Sequence, residues 1–149
     1  MKSYTIKETA KISGLTESTL RYYETIGLID PIKRDASSKY RVYSEDDVNL
    51  VISIACLNAT GLSIEDMRSY LYNRNKGSEA AKEQVALLKN KKKHLEGEVL
   101  FMQLRLRYLE SKIDFWNAVE CGDDKEVEKS RTVTHSIANE MKLPQYIQN

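Results

Sequence analysis

The sequence predicts a mainly α fold with a small β wing: a winged helix-turn-helix domain followed by one long helix that pairs as a coiled coil. Three observations lead there. Two short capped helical segments flank a glycine turn at Ser13-Gly14-Leu15. A short, basic, turn-rich stretch follows Pro31. Apolar residues then recur at alternating steps of three and four from Val85 to Trp116.

Thr5-Ile6-Lys7-Glu8 has the form of a capping box, with Thr5 capping the helix and Glu8 reaching back. Gly14 ends that helix, because glycine takes positive φ without steric cost. Thr16 caps a second helix from about Glu17 to Ile26. Small Ala10 allows close approach, and Leu15 and Leu20 supply packing between the two helices. Pro31 bars helix continuation. Ile32 and Tyr40-Arg41-Val42-Tyr43 read as two small strands around a loop at Asp35–Lys39, which is the pattern of a wing. Ser44 with Asp47 starts a helix whose predicted apolar stripe is Val48, Val51, Ile52, Ala55 and Cys56. Gly61 ends it. Ser63 with Asp66 starts another, carrying Ile64, Met67, Tyr70 and Leu71, and a linker is expected around Gly77.

The repeat beyond it is Val85, Leu88, Lys92, Leu95, Val99, Met102, Leu106, Leu109, Ile113 and Trp116. Only Lys92 is polar, and no proline interrupts the run. At 1.5 Å per residue these positions span roughly 48 Å. A helix of that length has no partner in the small domain before it, so a second copy of the chain is the simplest partner; Lys92 is placed to set register or orientation. The alternative is a long helix folded back on its own domain. Cys121-Gly122-Asp123-Asp124 breaks the helix, and Val127, Val133, Ile137 and Met141 suggest a short C-terminal helix that Pro144 ends. The expected domains are 1–76, the winged helix-turn-helix; 77–120, the coiled-coil helix; and 121–149, a short tail.

Composition narrows the function. No apolar run approaches the roughly 18 residues of a membrane span, and the N-terminus is too polar for a signal peptide. Cys56 and Cys121 make no disulfide framework, which fits the cytoplasm. No glycines fall in a phosphate-cradling spacing, and His94 and His135 have no acid partner nearby in sequence, so neither an enzyme nor a cofactor is expected. Residues 1–43 carry eight Lys/Arg against five Asp/Glu, a modest basic excess.

The oddest run is "TLRYYETIGLIDP", which sets Arg21, Tyr22 and Tyr23 side by side on a short helix. With "YTIKETAKISGLTEST" before it, and "YRVYSEDDV" and "GLSIEDM" after it, this order resembles the N-terminal domain of MerR-type transcriptional regulators, from Tyr4 to about Leu71. The resemblance implies a winged-helix homodimer with an antiparallel coiled coil. It implies binding to a palindromic element in double-stranded promoter DNA with an overlong spacer, and distortion of that DNA so that RNA polymerase can engage. It places the second helix of the helix-turn-helix in the major groove. Arg21 and Tyr22 then lie against the DNA backbone, where a guanidinium pairs with phosphate and such contacts set register. Tyr23 joins them, with core packing as its alternative. Base reading is expected at the helix N-terminus, from Thr16, Glu17, Ser18 and Thr19. In the wing, Lys39, Tyr40, Arg41 and Tyr43 match the backbone-contacting segment, with burial at the wing base as the alternative for Tyr43. Two departures stand out: Lys39 replaces the usual Gly, so the turn is expected to form by another route, and Asn58 replaces a usual Arg.

Three readings compete for what is sensed. Metal-sensing relatives carry a pair of cysteines near Cys121, but Asp123, Asp124 and His135 make a poor soft-metal set, so no metal is expected. The stretch "ISIACLNATGLSIEDM" resembles the aldehyde- and electrophile-sensing branch (AdhR- and NmlR-like proteins), which implies a thiol switch at Cys56; a core cysteine is the alternative. The third is a small apolar or aromatic ligand near Phe115, Trp116 and Tyr146. Outside transcription, a recombination or architectural DNA-bending factor is the remaining alternative.

Overall fold

The computed structural model describes residues 2–142; Pro144 and Tyr146 lie outside them. Two compact units meet at Lys91 and Lys92. In the first, β1 (Ser3–Tyr4) leads into α1 (Ile6–Ser13) and α2 (Glu17–Thr25); β2 (Tyr43–Ser44) then leads into α3 (Glu45–Ala59) and α4 (Ile64–Arg74). The caps fall at the predicted residues. Thr5 Oγ1 accepts the Glu8 N–H at 3.1 Å while Glu8 Oε2 accepts the Thr5 N–H at 2.8 Å. Ser44 and Asp47 repeat the box at α3, while at α2 and α4 Thr16 and Ser63 accept the N–H of Thr19 and Asp66 without a returning bond. Gly14 closes α1 in the left-handed region, at φ 77°. These helices are short, and an isolated helix under about 12 residues is marginal in water. Burial stabilises them: Leu20, Tyr23, Val51, Ile54, Met67 and Tyr43 form the centre of the core. Gly27 turns the chain after α2 at φ 74°, which drives Leu28 and Ile29 into that core.

Helix α3 corrects the predicted stripe. Val48, Val51 and Ile54 are buried, Ile52 and Ala55 are half-buried, and Cys56 is exposed. The helix is apolar on more than one side, so periodicity admitted two stripes, and the packing against α1 and α4 selected one. The expected linker is a turn of 3₁₀ helix, Gly77–Ala80, with Ala80 buried. Beyond it Gln84 Nε2 donates to the Tyr70 carbonyl at 2.8 Å and Leu87 packs on the core, which ties the start of α5 (Ala81–Cys121) to α4.

The second unit holds the rest of α5 and α6 (Asp124–Met141), capped by Asp123. Gly122, at φ 69°, reverses the chain, and α6 runs back along α5. The face of α5 that meets α6 is not the heptad seam. Leu104, Ser111 and Ala118 are buried on α5, facing Ser130 and Ile137 on α6. Thr134 Oγ1 lies 2.9 Å from Ser111 Oγ, and Arg107 pairs with Glu140 at 3.2 Å. The predicted α6 stripe is corrected at Val133, which is exposed; Ser130 and Thr134 lie toward α5 in its place. Among the described residues no helix is long and apolar enough to cross a membrane.

The wing is small. Arg34 and Arg41 form an antiparallel bridge, and the Val42 N–H donates to the Lys33 carbonyl at 2.8 Å. Its root continues into a two-stranded sheet in which Tyr43 and Ser44 pair with Tyr4 and Ser3, so the partner of the predicted Tyr43 strand comes from the N-terminus. The loop between is knotted by Asp35, whose Oδ1 accepts the N–H groups of Ser37 and Ser38 and the Ser38 hydroxyl, at 3.0, 2.7 and 3.0 Å. These bonds hold the Asp35 carboxyl below its ordinary pKa. Lys39 closes the turn at φ 63°. The expected detour around the missing glycine is therefore absent: the lysine adopts the left-handed conformation itself. Its N–H donates to the Asp35 carbonyl at 2.9 Å and its Nζ to the Ala36 carbonyl at 2.8 Å. The left-handed region costs an L-residue about 1–2 kcal/mol. A Lys39→Val protein should unfold at lower urea than Lys39→Gly, by about 1–2 kcal/mol, because both lose the ammonium bond and only valine keeps the strain. Equal stability of the two variants would mean that the turn has relaxed to another geometry.

Candidate nucleic-acid interface

Helix α2 divides its residues by the 100° step of the α-helix. Leu20 is fully buried and Tyr23 is 5 % exposed, while Arg21 and Tyr22 between them point to solvent. Tyr23 is therefore a core residue, and its predicted DNA contact is corrected. Burial raises its phenol pKa, with the neighbouring Tyr22 adding to the shift. The two tyrosine rings sit 6.1 Å apart at a tilt. Arg21 has Glu17 at 4.0 Å, both side chains about half exposed, and a pair of that kind contributes little and holds the guanidinium loosely. At the N-terminus Thr16 Oγ1 accepts the Thr19 N–H at 3.0 Å and lies 2.8 Å from Thr19 Oγ1. Ser18 and Thr16 are exposed there, with Glu17 and Thr19 half-buried.

In the wing Tyr40 is 77 % exposed, and Lys33, Arg34 and Lys39 are exposed around it. Tyr43 is 1 % exposed with its hydroxyl buried, so it too is corrected from DNA contact to core. Desolvation raises its pKa. Arg41 is half-buried and pairs inside the protein: its Nε and Nη2 donate to Glu24 Oε2 at 3.0 and 2.7 Å. The other oxygen, Glu24 Oε1, accepts the Ile32 N–H at 2.7 Å. Burial pushes the Glu24 carboxyl up, but the bonds from Arg41 and Ile32 and the charges of Arg41 and Arg34 outweigh it and hold the carboxyl below its usual range. The sequence displayed Glu24 within "RYYE", but nothing local reveals partners 8 and 17 residues away. Arg34 was equally hidden; its Nη1 donates to the Lys39 carbonyl at 3.1 Å.

The remaining predicted residues fall as follows. The Cys56 thiol is exposed on α3, and so is Asn58. Within the first unit Val85 and Leu88 are 50 % and 42 % exposed. In the second, Val99, Met102, Leu106, Leu109, Ile113 and Trp116 are all more than half exposed, and Leu95 is half-buried. Lys92 pairs with Glu96 at 3.5 Å on an exposed surface. Phe115 and Trp116 meet edge to face at 5.2 Å, yet they serve different faces. Phe115 lines a groove of about 280 Å³ against α6, with the Arg131 guanidinium 5.7 Å from its ring, while Trp116 stands in solvent. Among the described residues no three His, Cys, Asp or Glu side chains gather where they could hold a metal.

Residues 4–74 match the family described as MerR HTH family regulatory protein. The chain is 38% identical over 90 residues to the HTH-type transcriptional regulator AdhR of Bacillus subtilis (strain 168), covering 60% of this chain and 64% of that protein. It is 33% identical over 104 residues to the heavy metal-dependent transcription regulator 2 of Rhizobium meliloti (strain 1021), covering 70% of each. The chain spans just under two thirds of AdhR and 51% of the regulator YyaN of Bacillus subtilis. Among solved structures, HiNmlR, a MerR family regulator lacking the sensor domain and bound to promoter DNA, superposes with a TM-score of 0.68 at 25% identity, over 97% of this chain and 98% of that one. A MerR family transcriptional regulator from Listeria monocytogenes superposes with a TM-score of 0.66 at 31% identity, over 87% and 97%. With that identity sustained over nearly the whole of a solved relative, and the helix-turn-helix and wing in place, the chain belongs to the MerR family of helix-turn-helix regulatory proteins.

Proposed function

We propose that the chain is a sequence-specific transcriptional regulator that binds a palindromic promoter element as a homodimer and switches transcription by distorting the DNA. The observation that carries this reading is the division of α2, which buries Leu20 and Tyr23 and leaves Arg21 and Tyr22 free on the outer face. Arg21, Tyr22, Lys39 and Tyr40 hold the phosphate backbone, and Ser18 with Thr16, Glu17 and Thr19 faces the bases. A solved relative described as bound to promoter DNA supports the same partner. RNA polymerase meets the distorted promoter, and the protein works in the cytoplasm.

The antiparallel coiled coil of two copies covers the seam from Val85 to Trp116. Eight of its ten positions are large apolar side chains more than 40 % exposed, which is what a missing partner leaves bare. Because α6 occupies a different face of α5, the seam stays open to the second chain in the unit described here. The DNA-binding domain is residues 1–76 and the coiled-coil helix 77–120, with 121–149 as the C-terminal segment.

A thiol switch at Cys56 is the sensing mechanism of this reading: the residue is exposed, as Cys121 is, and it sits on the helix that packs against α1 and α4. Its helix ends one turn on, where the Thr60 N–H donates to the Cys56 carbonyl at 3.3 Å. An adduct there acts on that helix end, and it biases two dimer states only as far as the modified side chain fits one of them better.

Three measurements test the reading. Arg21→Ala should weaken binding to matched and mismatched duplexes alike and lower the slope of log affinity against log salt by about one phosphate; a changed base preference with an unaltered slope would reverse the assignment. Leu95→Asp with Leu106→Asp should give a monomer by light scattering, since a charge buried in an apolar seam is strongly unfavourable; a persistent dimer would remove this helix as the interface. Under a brief aldehyde or quinone pulse, Cys56 should be modified ahead of Cys121 by mass spectrometry, and Cys56→Ser should bind DNA normally without responding. Modification of Cys121 alone would end the thiol reading.

A further inference from the structure

We propose that Glu24 is a positioning residue: its carboxylate clamps both strands of the wing to helix α2, so that wing and helix meet one DNA duplex in fixed register. The inference rests on the DNA-binding reading above. Glu24 Oε1 accepts the N–H of Ile32, where the chain enters the wing. Glu24 Oε2 accepts Nε and Nη2 of Arg41, where the chain leaves it. Both side chains of the ion pair are less than a fifth exposed. One carboxylate therefore fixes the wing at entry and exit, and charged hydrogen bonds of this kind are the stronger ones. From Arg41 the constraint passes outward. Arg41 bridges to Arg34, and Arg34 holds the Lys39 carbonyl beside the exposed Tyr40. The ladder between the strands is short; Ile32 and Tyr43 seat the wing root in the core, and the Glu24 carboxylate adds a polar tie from α2 to both sides of the wing.

This assigns Arg41 a role different from that of Arg21. Two of its donors are committed to Glu24, and it acts as a strut, whereas Arg21, held only by its exposed pair with Glu17, stays open to phosphate. Charge alone makes the opposite prediction for Glu24. Removing a negative charge from a surface that approaches DNA strengthens binding through ordinary electrostatics. A clamp predicts the reverse, because the glutamine amide has one acceptor where the carboxylate uses two, and its –NH₂ meets a donor on Ile32 or Arg41.

The test uses the full-length protein and a duplex that the wild type selects from a random-sequence pool; failure to select any duplex defeats the DNA-binding reading itself, before the clamp is tested. Glu24→Gln should bind the selected duplex about tenfold more weakly, with affinity for an unrelated duplex unchanged or higher. Arg41→Gln should match that loss and leave the salt slope as in the wild type. The double variant should lose no more than either single one, as two ends of one strut require. Amide exchange at Val42 should quicken in Glu24→Gln while that at Met67 in the core stays slow, which separates a freed wing from an unfolded domain. If the single variants are too unstable to assay, Glu24→Asp keeps the charge and shortens the reach by one methylene, and should still weaken selected binding. Equal or tighter binding by Glu24→Gln, additive losses in the double variant, or a salt slope lowered by Arg41→Gln would overturn the proposal.

Discussion

The burial of one side of helix α2 is the constraint on which the first unit depends. The helix has nine residues and little stability of its own. Leu20 and Tyr23 hold it against Val51, Ile54, Met67 and Tyr43, and in doing so they fix which side chains are left outside. A residue inserted before Arg21 would rotate it by 100° and exchange core for interface. The compact "RYYE" run is therefore three environments within one turn: Arg21 and Tyr22 in solvent, Tyr23 in the core, and Glu24 at the wing root. Each neighbour in the run does different work, and only the helix geometry assigns it.

The wing shows how a very small β element is made definite without a long ladder. Its tip is set by Asp35 and by the left-handed Lys39, and its root by Glu24 and the two-stranded sheet with Ser3 and Tyr4. Each contact satisfies backbone donors or acceptors that a two-residue strand leaves open. The same bonds leave the outward groups, Lys39 and Tyr40 among them, on an exposed rim.

The second unit uses two faces of one helix. Toward α6 the buried positions of α5 are Leu104, Ser111 and Ala118, the two small ones allowing close approach and Thr134 meeting Ser111 across the contact. The large apolar residues, Val99 to Trp116, stand on another face. That distribution is the reverse of what a self-contained hairpin would select, since such a hairpin buries its largest side chains first. A partner helix against the exposed face, as in the proposed dimer, would account for both at once.

Much of this was legible along the chain. The capping residues Thr5, Thr16, Ser44 and Ser63, the turn at Gly14, the heptad from Val85 to Trp116 and the family resemblance are local signals, because caps, glycine turns and periodicity act within a few residues. Other features depended on neighbours distant in sequence. Cys56 sits on a helix with two candidate apolar stripes, and only packing against α1 and α4 showed which one is buried. Tyr23 and Tyr43 admit either DNA contact or burial along the sequence, and the tertiary core takes both. The α6 contact joins Ile137, which the stripe displayed, to serine and threonine, which carry no apolar signal to read. Glu24 finds Ile32 and Arg41 because the chain doubles back through Gly27 and the wing. The sequence by itself determined where helices start and stop and which residues repeat. The tertiary structure decided which face of each helix is inside and which charges meet, because burial and ion pairing are properties of contacts between distant segments.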